Sequence, residues 1–83
     1  MVYVLSAKYV KEYMVETVFN DGTRALIDLK STIQNDNRQI VRELMNIELF
    51  SQVSVDMDTL VWWNGFDLAP EYLHELSVAL RIA

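Results

Sequence analysis

One stretch, residues 60–71 (LVWWNGFDLAPE), constrains the fold more than any other part of the sequence. It starts with apolar residues and two adjacent tryptophans, which predict the end of a strand. Asn64 and Gly65 then predict a tight turn, because both residue types accept the backbone angles that turns require. Pro70 suits the first position of a helix, and Glu71 suits the positive end of the helix dipole. The stretch therefore predicts a junction between a sheet and a helix.

Alternating side chains predict a hairpin in the first half of the chain. Residues 13–19 (YMVETVF) and 24–29 (RALIDL) alternate between two faces, and Glu16 assigns one face to water. The connecting residues 20–23 (NDGT) favour a hairpin turn, because Gly accepts a positive φ and Asn and Asp tolerate turn geometry. The predicted buried face consists of Tyr13, Val15, Thr17 and Phe19 on one strand and Ala25, Ile27 and Leu29 on the other.

The other elements follow from apolar spacing. Residues 2–10 predict a first strand, whose lysines at one end suit a sheet edge. Ser31 or Thr32 is a candidate cap for a single helical turn, and residues 35–37 (NDN) predict a flexible loop. Residues 38–46 have helical spacing, and Phe50 is a candidate core residue. A second hairpin (53–62) and a closing helix (70–80) complete the chain, and the helix stripe is predicted to consist of Tyr72, Leu73, Leu76, Ala79 and Leu80.

These elements predict one α+β domain over residues 1–83. We expect a small, mainly antiparallel sheet, built from the two hairpins and the N-terminal strand and packed with two helices. A chain of 83 residues buries only about 60–65% of its unfolded surface. The hydrophobic content of 52% is high for this size. The surplus favours a partner protein or a second copy that covers apolar surface.

Composition excludes several classes of function. The sequence has no cysteine and one histidine, so it predicts no disulfide, metal site or cofactor. The net charge of −5 argues against direct nucleic-acid binding, which needs basic residues to neutralise phosphates. No signal peptide and no apolar run of about 20 residues is recognisable, so we expect a cytoplasmic protein without a membrane-spanning segment.

Four residues of the junction are the candidate binding residues. Trp62 and Trp63 point to opposite faces of a strand, so Trp62 is expected in the core and Trp63 at a sheet edge or against a partner. Asn64 is expected to turn the chain. Asp67 is expected to cap the closing helix, and the alternative is an acid that faces a ligand.

Two other groups of residues are candidates for catalysis or cation binding. His74 has acidic neighbours, as a general base would, but no nucleophile accompanies it, so a surface histidine is the simpler interpretation. Asp56 and Asp58 have the spacing of a weak cation site, but turn formation explains them better.

The order of motifs resembles a known family. Residues 19–22 (FNDG), 27–29 (IDL), 53–56 (VSVD) and 62–73 (WWNGFDLAPEYL) are similar to the bacterial domain of unknown function 2442, over about residues 3–75. Trp63 departs from the pattern, because many members have proline there. The resemblance implies a compact α+β domain with a mainly antiparallel sheet, and it implies no catalytic residues. Some relatives carry a helix-turn-helix domain, and others are encoded beside a small toxin-like protein.

The first functional hypothesis is a non-catalytic protein-interaction domain, such as the antitoxin-like partner of a toxin–antitoxin pair. The alternative is a small-ligand-sensing domain related to the N-terminal part of a transcriptional regulator, with a polar pocket between Asn64 and Asp67. An enzyme that uses His74 is the third hypothesis. A homodimer through an open strand edge is compatible with each.

Overall fold

Three strands, a run of short helices, three more strands and a closing helix follow one another along the chain. The computed structural model describes the backbone of residues 1–82 and the side chains of residues 1–77. The strands are β1 (Val4–Lys11), β2 (Met14–Phe19), β3 (Arg24–Asp28), β4 (Ser54–Asp56), β5 (Thr59–Val61) and β6 (Asp67–Leu68). The helices are α1 (Lys30–Gln34), α2 (Gln39–Arg42), a 3₁₀ turn (Glu43–Met45), α3 (Ile47–Phe50) and α4 (Pro70–Ile82). The predicted α+β class is confirmed.

The first sheet is antiparallel, in the order β1-β2-β3. In the β2–β3 pair Val15 lies opposite Ile27, and Thr17 lies opposite Ala25. The turn between them contains Gly22 at φ +88, as the sequence predicts. The predicted inward face is confirmed, because its residues on β2 and β3 are buried and only Tyr13 is partly exposed. This sheet supplies one wall of the core.

β1 lies at an edge of the first sheet, as its lysines predict. Its register shifts between Val4 and Ser6, and again between Tyr9 and Lys11. At its start, the Val4 N–H donates to the Asp58 carbonyl at 2.9 Å. The second hairpin therefore covers one end of this edge.

The second sheet contains the predicted second hairpin and one strand that the sequence did not predict. β4, β5 and β6 pair antiparallel in that order. The β4–β5 turn places Met57 and Asp58 at φ 51 and φ 67. Two successive positive φ values define a tight hairpin turn, and this confirms the turn role of the Asp56–Asp58 segment. The structure thus divides the expected strands between two small sheets.

The sequence predicted one helix over residues 38–46, but the structure has two short elements there, α2 and the 3₁₀ turn. A further short helix, α3, follows them. Asn46 causes the break, because its backbone is extended (φ −72, ψ 114). Its Oδ1 accepts a hydrogen bond from the Glu48 amide at 3.0 Å, which caps α3. The asparagine therefore ends one helical segment and starts the next, and it positions Phe50 for the core.

Two predictions about helix boundaries and faces are wrong. α1 begins at Lys30, and its first amide donates to Asp28 Oδ1 at 2.9 Å, so neither Ser31 nor Thr32 is its cap. Tyr72 is exposed instead of belonging to the buried stripe of α4, and its hydroxyl lies 2.6 Å from Thr32 Oγ1. Leu73 is buried and Leu76 partly buried, as predicted, whereas the side chains of Ala79 and Leu80 lie outside the described residues.

The core lies between the two sheets, the short helices and α4. Phe50 is at its centre, and the rings of Tyr9, Tyr13 and Trp62 lie 6.1, 5.3 and 5.6 Å from the Phe50 ring. The Tyr13 hydroxyl donates to the Met45 carbonyl at 2.6 Å, which ties β2 to the helical segment.

Among the described residues, no helix is long and apolar enough to cross a membrane.

Candidate functional site

Residues 62–66, which we call the tryptophan turn, connect β5 to β6. The Trp62 N–H donates to the Phe66 carbonyl at 2.9 Å, and the Gly65 N–H donates to the Trp62 carbonyl at 3.0 Å. Gly65 has a φ of +92, the left-handed region that favours glycine. The expected turn at Asn64 and Gly65 is therefore present, and it ends in a two-residue strand, β6.

Trp62 is the inner tryptophan and is 3% exposed. Its ring lies 5.6 Å from the Phe50 ring and 5.6 Å from the Phe66 ring. Its Nε1–H donates to the Phe50 carbonyl at 2.9 Å, so the polar end of the indole is satisfied inside the core. Trp62 thus fixes the base of the turn to α3.

Asn64 attaches the tip of the turn to the helical segment. Its Nδ2 donates to the Ile40 carbonyl at 2.8 Å, and the same nitrogen lies 3.5 Å from Glu43 Oε1. Its Oδ1 accepts from the Phe66 N–H at 3.1 Å. The sequence predicted only the local role in the turn, because the contact with Ile40 joins residues that are 24 positions apart.

Trp63 is the outer tryptophan, and 57% of its surface is exposed. It lies between Trp62 and Asn64, whose side chains are both held by hydrogen bonds to distant backbone carbonyls. The backbone that carries the exposed indole is consequently held in place. This is the arrangement that a preorganised binding residue requires.

The predicted capping role of Asp67 is wrong. Asp67 lies in β6, where it pairs with Val61, and its side chain accepts no hydrogen bond from the described residues. The register places Ser54, Val61 and Asp67 side by side on the outward face of the second sheet. Asp67 is therefore an exposed acid beside the tryptophan turn.

Charge is divided unequally between the two halves of the chain. Up to Arg42 there are six basic and five acidic residues, and from Glu43 onward there are one basic and seven acidic residues, which together give −5. The one basic residue of the second half is Arg81, so the second sheet and the tryptophan turn contain no lysine or arginine. The sequence alone contains this asymmetry, which the overall net charge of −5 does not reveal.

His74 contacts the first hairpin. Its Nε2 lies 2.8 Å from Asp21 Oδ2, and its ring packs edge-on against Phe19 at 5.0 Å. The pKa of Asp21 is lowered to about 2, chiefly by the hydrogen bond from the Thr23 backbone and then by Thr23 and His74 side-chain bonds. Ser77 Oγ donates to the His74 carbonyl and not to the ring. The histidine therefore ties α4 to the β2–β3 turn.

The spacing of Asp56 and Asp58 suggested a weak cation site. The described residues contain no group of three or more His, Cys, Asp or Glu side chains that could hold a metal ion. A surface depression lies between α1 and the residues that follow it.

The fold and this site define a small α+β domain that presents one exposed tryptophan in an acidic half. The chain belongs to the family described as protein of unknown function DUF2442, whose sequence model matches residues 4–79. The resemblance in the hairpin and tryptophan motifs is thereby confirmed. Comparison with curated proteins and with solved structures finds no match.

Proposed function

We propose that this protein is a non-catalytic protein-interaction domain that binds a basic partner protein through Trp63. The observation that carries the proposal is an indole that is 57% exposed although both neighbouring side chains are anchored. Tryptophan is enriched among the residues that dominate interface energies. An anchored backbone also reduces the entropy that is lost on binding.

The charge of the surrounding surface supports a basic partner. Asp67 and Ser54 flank Val61 on the outward face of the second sheet, and Asp56 lies two residues from Ser54 on the same face of β4. No lysine or arginine occurs between Glu43 and Leu80, and Arg38, whose guanidinium carbon lies 5.7 Å from the Phe66 ring, is already paired with Asp36. Charge complementarity accelerates association and rejects acidic partners more than it adds affinity.

An antitoxin-like role is a specific form of this proposal. An acidic inhibitor with an apolar anchor can cover a basic working surface of a small effector protein. We therefore assign the product of the adjacent gene as the partner to test.

Co-purification of the chain with that gene product tests the proposal. A complex is expected, with Trp63→Ala weakening it by roughly 30-fold or more, since hot-spot truncations cost at least about 2 kcal/mol. The matched control is Leu26→Ala, because Leu26 is 45% exposed on the first sheet and lies outside the proposed face. Affinity is measured by calorimetry, and light scattering of the free chain tests the homodimer.

The association rate should fall steeply as salt is raised from about 50 to 300 mM, because steering between opposite charges is screened. Absence of a complex would remove the antitoxin-like pairing. If the Trp63→Ala and Leu26→Ala variants bind the partner with equal affinity, the proposal that Trp63 anchors the complex is wrong.

A further inference from the structure

A depression of about 260 Å³ lies on the helical side of the molecule. Its lining comes from α1, the loop after it and the end of the next helical segment: Ile33, Gln34, Asp36, Asn37, Arg42 and Met45. Ligand pockets commonly enclose about 300–1,000 Å³, so this volume suits a small metabolite and not a nucleotide.

The acid in the lining is already paired. Arg38 Nη2 lies 2.7 Å from Asp36 Oδ2, and Arg38 Nε lies 3.0 Å from Asp36 Oδ1. These side-chain bonds are the main cause of the lowering of the Asp36 pKa to about 2. Arg38 is also placed by Phe66, whose ring centroid is 5.7 Å from the guanidinium carbon. The charges of Asp36 and Arg38 therefore balance each other at the rim.

Arg42 supplies the remaining charge. It is exposed at the end of α2, and its guanidinium has no ion pair or hydrogen bond with the described residues. The side-chain amides of Gln34 and Asn37 are likewise exposed and make no hydrogen bond within the described part of the chain. The rim thus presents the positively charged guanidinium of Arg42 and two side-chain amides that can donate or accept hydrogen bonds.

The base of the depression is apolar. Ile33 is 1% exposed, and Met45 is partly buried against the core. The Met45 backbone is held by the Tyr13 hydroxyl at 2.6 Å, so this part of the base is anchored to β2. Because Ile33 is already buried, most of the apolar area that a ligand could cover belongs to Met45, and covering it requires no movement of the sheets.

We propose that this depression binds a small organic carboxylate with a short apolar body. The carboxylate would form a bidentate pair with Arg42, because the planar guanidinium matches carboxylate geometry. The amides of Gln34 and Asn37 would bind a polar substituent, and the apolar body would lie on Ile33 and Met45. Among the described lining residues Arg42 is the one cation, and together with the neighbouring Asp36 carboxylate this disfavours phosphate. A cationic ligand is disfavoured because Asp36 is already paired with Arg38.

Titration of the ¹⁵N-labelled chain with 3-methylbutanoate tests this site. Saturable shifts are expected for backbone amides of residues 33–37 and 42–45. 3-Methylbutanol has the same apolar body without the charge, and inorganic phosphate has charge without the body, so neither should produce these shifts. Equal binding of phosphate would overturn the assignment, as would shifts that do not saturate or that lie elsewhere in the chain.

The Arg42→Gln variant should weaken 3-methylbutanoate binding by at least about tenfold, because a charge-assisted pair is lost. Arg24→Gln is the matched control, since it makes the same side-chain change on the first sheet, where Arg24 contacts Glu16 at 3.3 Å. Dispersed amide spectra of both variants verify the fold. Unchanged binding by Arg42→Gln would overturn the proposal. The site does not depend on Trp63, so the two proposals stand or fall separately.

Discussion

The replacement of Asn64 by Asp separates the local from the tertiary role of the tryptophan turn. Asp and Asn serve turns equally well, because either side-chain oxygen can accept a bond from the amide two residues ahead. The bond from the Phe66 N–H to Oδ1 (3.1 Å) would therefore survive. The bond from Nδ2 to the Ile40 carbonyl (2.8 Å) would not, because a carboxylate cannot donate.

The expected loss of stability is about 1–3 kcal/mol. Loss of the donor leaves the Ile40 carbonyl facing an acceptor, which costs about 1–2 kcal/mol. The new carboxylate also lies near Glu43, whose Oε1 is 3.5 Å from the present nitrogen, and repulsion at a partly exposed site adds up to about 1 kcal/mol. For a domain of this size, a loss of 2 kcal/mol lowers the melting temperature by about 8–16 °C.

Urea unfolding followed by tryptophan fluorescence measures the change as a lower midpoint at an unchanged slope. Asn37→Asp is the matched control, because Asn37 is exposed and its side chain makes no hydrogen bond among the described residues. That control should change stability by no more than about 0.5 kcal/mol. Repeating the comparison in 0.5 M NaCl removes most of the charge term and leaves the hydrogen-bond term.

A change of less than about 0.5 kcal/mol in Asn64→Asp would refute the reasoning. It would mean that the turn is held by its own backbone and that the contact with Ile40 contributes nothing. An equal loss in Asn37→Asp would instead point to the added negative charge as the general cause.

Three further predictions concern single residues. Gly65→Ala should cost about 1–3 kcal/mol in urea unfolding from its φ of +92 alone, since no atom lies within 4 Å of the added Cβ. Trp62→Phe should cost about 1–3 kcal/mol, because the core loses part of the indole and the Phe50 carbonyl keeps only the Val53 N–H as donor; full stability in thermal unfolding would contradict this. The lowered pKa of Asp21 stabilises the fold above pH 4 and ceases to do so as pH falls towards 2. The advantage of the native chain over Asp21→Asn should therefore shrink across that interval, in denaturation measured at successive pH values.

The sequence determined the elements whose causes are local. The alternation of residues 13–29 and the turn at Gly22 specify the first hairpin, because a strand has a period of two and a glycine accepts positive φ. The same period placed Trp62 and Trp63 on opposite faces, and Trp62 is the buried one, as expected. Pro70 marked the start of α4 for an equally local reason.

The tertiary structure decided the elements whose partners are distant in sequence. Asp67 belongs to a two-residue strand because it pairs with Val61 of β5. The local sequence around Asp67 favours a capping role and contains no sign of this pairing. The side chain of Asn64 is hydrogen-bonded to Ile40, which is 24 positions away, and that of His74 to Asp21, which is 53 positions away. Local periodicity contains no information about such pairs, since they form only after the sheets and helices have packed. The same packing brought Arg42 beside Ile33 and Met45 to form the depression, which no spacing in the sequence indicates.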